Sequence, residues 1–401
     1  MAHPIETVSL THKLKLFFGL SAPIIFIVFL ARLFNDIGVR MIFPFITQFA
    51  GGLNLSVVDF SWLVFWRGII GLAGPIFGVW ADRWGRRKLM AGGLLLQSLG
   101  VLWLVFSQQW WAAWPMLIFG LAVTAFLPAQ QAYISDQVSY QKRGRALAVF
   151  ELSWAFTAIA VLPLVGWLID DFGWRSPLVM VALLSLAGSF LVWRHLPPAE
   201  RHTHVNLSWA EIRQLCLRPN VLAAMLAALL MLLAGTCIIT IWGIWLPQDF
   251  GLSATSLGLV GTAIGVAELT ASSSSSLFID RLGKRRGTAL GLLLAATGML
   301  LLPLTREALP LAVTTLVVIG LSFEFSIVSI LPLYSEQAPE ARGTLFSLIF
   351  LGTAIGVSIG TPVTAMLWDS SGLWGVCAVT GACLLGALGL MWRFLQERGI
   401  S

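Results

Sequence analysis

Apolar residues along this chain come in long blocks, interrupted by short polar stretches rich in Arg, Lys, Asp and Gly. A helix needs about 20 apolar residues to cross the hydrocarbon core. Blocks of about that length occupy 22–48, 57–81, 89–107, 112–136, 145–169 and 175–194. A second set follows at 220–247, 255–279, 287–304, 309–335, 344–368 and 373–393. The pattern predicts twelve transmembrane helices.

The polar stretches repeat as well. GVWADRWGRRK at Gly78 to Lys88 returns as LFIDRLGKRR at Leu277 to Arg286, and Gly93, Leu94 to Leu96 and Gly100 return in phase as Gly291, Leu292 to Leu294 and Gly298. Arg143 and Asp170 recur as Arg342 and Asp369, one residue out of that register. A repeat of this length fixes the architecture before any residue is given a role. The expected fold is an all-α membrane protein of two six-helix bundles related by pseudo-two-fold symmetry, covering 1–196 and 220–401. A cytoplasmic linker at 197–219 joins them, and its NLSWAEIRQLCLR reads as an amphipathic helix on the membrane surface. His202 and His204 in that linker are read as solvated residues rather than metal ligands.

Composition agrees with the spans. Of the 401 residues 58% are hydrophobic and 11% charged, against about 25% charged in soluble proteins. The net charge of +6 does not indicate nucleic acid, because the Lys and Arg sit where membrane topology puts them. Most lie in the tails and alternate loops of one side, such as Lys13, Lys15, Arg83 to Lys88, Lys142 to Arg145, Arg281 to Arg286 and Arg393, while Arg175 and Arg306 lie opposite. The positive-inside rule places both termini and the central loop in the cytoplasm. The first apolar block is too long for a cleavable signal peptide. Cys216, Cys237, Cys377 and Cys383 form no CxxC pair and read as apolar filler.

At this point the chain resembles the major facilitator superfamily over nearly its whole length. Gly78, Asp82, Arg83, Gly85, Arg86, Arg87 and Lys88 match the loop GxLaDrxGrR(K/R) between that family's second and third helices, and Asp280, Arg281, Gly283, Lys284 and Arg285 match a weaker copy. In the family the loop acid latches the two halves on the cytoplasmic side. The resemblance therefore implies that Asp82 faces the eleventh helix near Thr344, and Asp280 the fifth near Arg145. Asp136 is then a candidate partner for Arg83 or Arg86, and Glu336 for Arg281 or Lys284. The alternative is that these charges only fix topology.

Charges within the spans carry the candidate chemistry. Arg32, Asp36 and Arg40 follow one another at i, i+4 on one face of the first span, with Arg32 about 15 Å into the membrane at 1.5 Å per residue. A charge at that depth costs at least about 2.5–3.5 kcal/mol, so such residues face a cavity or each other. Arg67 adds a positive charge in the second span. It either pairs with Asp36 or, with Arg32, makes the central cavity electropositive and suited to an anion. Glu268 and Glu324 in the eighth and tenth spans read as lone carboxyls able to exchange protons. Glu324, then Glu268, is the candidate coupling site, the alternative being a hydrogen bond to a neighbouring helix. Glu151 reads as a local pair near the cytoplasmic face. Ser272 to Ser276 reads as helix packing or a wetted pathway. Trp103, Trp110, Trp111 and Trp114 read as interface anchors, and Trp62, Trp66, Trp154, Trp242 and Trp245 as candidates for an aromatic cavity wall or for lipid-facing packing.

No GxxxxGK(S/T) phosphate cradle, metal cluster or nucleophile elbow is present in the sequence, so neither an enzyme nor a nucleotide-driven pump is expected. The expected function is a monomeric secondary transporter of the cytoplasmic membrane, needing no cofactor, that works by alternating access. It would move a small organic solute, amphipathic or anionic, by proton-coupled efflux. The exporter stretch GxxxGPxxGG expected in the fifth helix by resemblance is reduced here to AVLPLVG at Ala160 to Gly166, the nearest match being GTAIGVSIGTP at Gly352 to Pro362. Proton-coupled import of an organic anion is the runner-up, and a non-transporting membrane sensor the reading from a different class.

Overall fold

A computed structural model of the chain describes residues 19–73, 84–139, 142–198, 209–338 and 341–397. Among the described residues all regular structure is helical, with no strand. Ten helices among the described residues are long and apolar enough to cross a membrane. The last, Arg342–Phe394, is two crossings joined at Gly372, whose φ of 62° and ψ of −157° break the helix. A further crossing begins with Val57–Ile69 and the turn Ile70–Ala73, while its expected continuation over 74–81 lies outside the described residues. The molecule is an all-α, twelve-span membrane protein.

Hydropathy located the spans but not their breaks. The first block is helix Ala22–Arg40, then a turn, then Ile46–Gly52, because Pro44 has no N–H to continue the ladder. The chain then reverses through 104° into the second span. The fifth block runs Arg143–Phe156, a π-helical turn at Thr157–Val161, then Leu162–Phe172. Pro163 opens that last piece, and the widened turn before it leaves room for the missing donor. Of the linker, the helix Trp209–Cys216 is described, and residues 199–208, including His202 and His204, lie outside the described residues.

The duplication in the sequence is a duplication in space. The third span packs on the fourth and sixth, and the ninth on the tenth and on the last helix. Gly93 sits against Ala122 and Phe126 of the fourth span, and Gly291 against Ser322 and Ser326 of the tenth. Each repeated glycine lets two helix backbones approach where a Cβ would collide. The second and eighth spans both open on a serine whose hydroxyl accepts the N–H three residues on, Ser56 from Asp59 at 3.0 Å and Ser253 from Ser256 at 3.3 Å. Such a cap contributes about 1 kcal/mol. Exposed stripes such as Leu95, Leu99, Leu102 and Phe106 on the third span, and Leu293, Leu294, Leu300 and Leu301 on the ninth, are suited to lipid tails and unsuited to water.

The spans of the first half meet those of the second along two seams, the fifth against the eighth and the second against the eleventh. A half-turn exchanging the repeats converts one seam into the other. The face carrying Arg86 to Lys88 and Lys284 to Arg286 is called the basic face below. Towards the opposite face the fifth and eighth spans touch backbone to backbone: a Cβ on Gly166 would lie 2.2 Å from the Ala254 carbonyl oxygen, and one on Gly258 2.5 Å from that of Leu162. Gly243 of the seventh span meets the Pro44 carbonyl in the same way, at 2.4 Å.

Candidate functional site

The i, i+4 spacing in the first span brings Arg32 onto Asp36. Nε of Arg32 donates to both Asp36 oxygens at 3.0 and 2.9 Å, Nη1 to Gln130 of the fourth span at 3.4 Å, and Nη2 to Glu151 of the fifth at 3.2 Å. Asp36 also accepts from Asn35 at 3.1 Å and from the Ser153 hydroxyl at 2.5 Å. It is 2% exposed, so a carboxylate in hydrocarbon is tolerated because donors surround it.

One helical turn further, Arg40 reaches away from Asp36 and across to the second half. Its Nη2 donates to both oxygens of Glu268 on the eighth span, at 2.9 and 2.8 Å. Nη1 donates to the Trp154 carbonyl at 2.9 Å, and the guanidinium lies 4.6 Å over the Trp154 ring. Both partners are buried. In such a pair the attraction and the cost of desolvation nearly offset, but removing one partner strands a charge.

Several expectations change accordingly. Glu268 is not a lone carboxyl, since it holds Arg40. Arg67 does not pair with Asp36, whose oxygens are taken by Arg32, Asn35 and Ser153. Arg67 is buried with Nε unpartnered, its guanidinium 5.9 Å from the Phe43 ring centroid and 5.2 Å from that of Phe119. Arg32 is not an unbalanced positive charge, because its guanidinium meets the carboxylates of Asp36 and Glu151. Glu151 is not a local pair at the membrane face, since its partner is Arg32. Glu324 accepts a hydrogen bond from Ser272 at 2.7 Å, and no ion pair to it is found among the described residues.

The tryptophan wall reduces to one residue at the ionic cluster, Trp154. Trp242 and Trp245 are buried in the core, where Trp245 donates to Asp249 at 2.9 Å, and Trp62 and Trp66 are exposed. Trp103, Trp110, Trp111 and Trp114 are all exposed. Of the serine run, Ser272 binds Glu324 and Ser274 donates to Thr270. The four cysteines are free, with Cys237 and Cys377 buried.

At the basic face the loop pattern becomes two matching sets of contacts. Arg86 pairs with Asp136, and Lys284 with Glu336. Arg87 donates to the Leu196 carbonyl at 2.9 Å and stacks 5.4 Å from Trp193, while Arg285 donates to the Trp392 carbonyl and stacks 4.4 Å from that ring. Gly85 and Gly283 stand at φ of 91° and 83°, a conformation open to glycine. Arg281 is exposed. Asp82 and Arg83 lie outside the described residues, as does the side chain of Asp280, and with them the expected contacts to the fifth and eleventh helices.

One residue escaped the sequence reading except as a repeat marker. Asp170, at the end of the fifth span, accepts from the backbone of Ala254 at 3.1 Å and of Thr255 at 2.8 Å, and from the Thr255 hydroxyl at 2.7 Å. A first-half carboxylate thus caps the positive N-terminus of a second-half helix, an arrangement favoured by the helix dipole. Its only sequence signal is the recurrence of an aspartate as Asp369.

Comparison with known proteins agrees with this architecture. The family model for the Major Facilitator Superfamily matches residues 28–248 and 224–400. Multidrug resistance protein 2 of Bacillus subtilis (strain 168) is 23% identical over 86% of this chain and 89% of its own length. Among solved structures, a D-xylose–proton symporter superposes with a TM-score of 0.76 at 18% identity, covering 94% of this chain and 98% of that one. A bacterial homologue of the human lysosomal transporter Spinster, in an inward-facing and unoccupied conformation, gives 0.73 at 15% identity, covering 92% and 93%. With one family model matching both halves, the chain belongs to the Major Facilitator Superfamily, as a secondary transporter and not an enzyme.

Proposed function

We propose that the protein exports small amphipathic organic compounds across the cytoplasmic membrane in exchange for protons. The two halves, 1–196 and 220–401 with the linker 197–219 between them, rock about the ionic cluster, and the basic face is cytoplasmic with both termini on it. The observation that carries this reading is Glu324. Asp36, Glu151 and Glu268 each hold an arginine, whereas Glu324 has a serine hydroxyl as its partner. A carboxyl in mid-span with no ion pair among the described residues can be neutral or ionised as water and solute come and go, which is what coupling to protons requires.

The paired groups have structural work in the same cycle. Arg40 and Glu268 tie the halves at mid-membrane, and the Asp170 cap with the Gly166 and Gly258 contacts closes the face away from the basic loops. At the basic face, Arg86 with Asp136 and Lys284 with Glu336 brace the loops that carry Asp82 and Asp280, and these two acids form the latch of the opposite state. Export is favoured by the likeness to Multidrug resistance protein 2. A second reading, import of an organic anion, is favoured by Arg67, a buried guanidinium that makes no ion pair among the described residues and whose Nε is unpartnered.

Sealed proteoliposomes with an imposed pH gradient provide the test. Wild-type protein moves an amphipathic dye against its gradient at the expense of the proton gradient. Glu324→Gln abolishes the gradient-driven component and leaves solute exchange at zero gradient intact. Unchanged gradient-driven movement by this variant removes the coupling assignment.

A further inference from the structure

We propose that Glu151 sets the charge preference of the substrate site, so that the compound transported is an organic cation. This rests on the amphiphile-transport reading above and names its substrate class. The Arg32 guanidinium has one edge committed to Asp36, buried at 2% exposure, through Nε at 2.9 and 3.0 Å. Its other edge is held by longer contacts, Gln130 at 3.4 Å and Glu151 at 3.2 Å. The two ends of that last contact differ in exposure: the Arg32 side chain is 9% exposed and that of Glu151 57%. A solute arriving from water meets the Glu151 carboxylate before it meets the guanidinium.

The uncovered side of Glu151 borders water rather than lipid. Residue 151 stands about 12 Å along the helix that begins at Arg143, at 1.5 Å per residue, and an ionised group at that depth cannot present half its surface to hydrocarbon. Glu151 stands on the fifth span, which packs against the eighth span of the other half, so its uncovered side lies near the seam between the two halves. The other two acids of the cluster are closed off, Asp36 behind Arg32 and Glu268, 8% exposed, behind Arg40. One guanidinium against two carboxylates leaves this wall with an excess of one negative charge. A cationic group gains from it directly. An anionic group has to displace Glu151 from Nη2 and then sit beside it.

Neutralising Glu151 removes both obstacles and leaves Arg32 balanced by Asp36 alone. The probes are tetraphenylphosphonium and tetraphenylborate, ions of similar size and shape but opposite charge. Their binding to the purified full chain is measured at equilibrium in a neutral maltoside detergent, where no gradient or membrane potential acts. Wild-type protein binds the phosphonium at least tenfold more tightly than the borate. E151Q weakens the phosphonium about tenfold and strengthens the borate, and E151D keeps the wild-type order. Wild-type protein that binds borate as tightly as phosphonium overturns the proposal with no variant needed. Phosphonium affinity unchanged in E151Q overturns it while leaving the transporter reading in place, and wild-type protein that binds neither ion overturns both.

Discussion

Removing the Glu268 carboxylate puts the link between the halves to a quantitative test. In Glu268→Leu, Arg40 keeps the Trp154 carbonyl at 2.9 Å and the ring at 4.6 Å but loses two charge-assisted bonds at 2.9 and 2.8 Å. Stranding one member of a buried pair costs about 3–5 kcal/mol. The contacts left to Arg40 place this variant near the lower end, about 3 kcal/mol. Arg40→Met strands Glu268 at a similar cost. The double variant has no stranded charge and fills the site with apolar side chains of like volume, a change that ranges from neutral to stabilising. Unfolding of the four proteins in mixed micelles is therefore non-additive, with a coupling of about 6 kcal/mol in magnitude when the double variant is neutral and more when it is stabilised. Two single losses that simply add in the double variant would refute the claim that these residues act as a pair.

The opposite-face closure yields two further outcomes. Asp170→Ala deletes the acceptor for two backbone N–H groups and a hydroxyl at the start of the eighth span, a loss of about 1–2 kcal/mol on the capping scale. Spin labels at Asp171→Cys and Glu307→Cys then report a longer, broader distance than in the parent, and an unchanged distribution would show that Asp170 does not hold this face shut. Gly166→Val places a side chain where even a Cβ lies 2.2 Å from the Ala254 oxygen, so the same pair of labels separates and transport fails. Normal transport by this variant would rule out backbone contact at that point as part of the cycle.

The sequence announced the fold because the membrane enforces it: spans must be apolar and long, and a duplicated gene keeps its glycines where helices touch. Gly93 and Gly291, Gly85 and Gly283, and Arg87 and Arg285 occupy matching places, and all three pairs are visible as text. The pairing of charges was only partly legible. Arg32 with Asp36 follows from helical spacing, whereas Arg40 with Glu268 joins residues far apart in the chain and depends on how the halves dock. The choice for Arg67 between pairing with Asp36 and standing alone stayed open, because spacing cannot show that Asp36 is already held by Asn35, Arg32 and Ser153. Glu151 was read as a local pair because its partner Arg32 is far away in the chain, and Asp170 was seen only as a repeat marker because it sits at a helix end, where a charge needs no special reason. The turn at Pro44 and the π-helical turn before Pro163 do not alter hydropathy, and a hydropathy window reads straight through them.

The account rests on two halves that open alternately to the two sides of the membrane around this ionic cluster. It is tested most directly by electron paramagnetic resonance distances in liposomes, in protein whose four native cysteines are replaced. One label pair is at Asp171→Cys and Glu307→Cys on the opposite face, and the other at Lys88→Cys and Arg286→Cys on the basic face. Lowering the pH or adding a transported cation should change the two distances in opposite senses, one lengthening as the other shortens, and Glu324→Gln should abolish the pH response. Distances that stay fixed, or that lengthen together, would contradict alternating access as the mechanism of this protein.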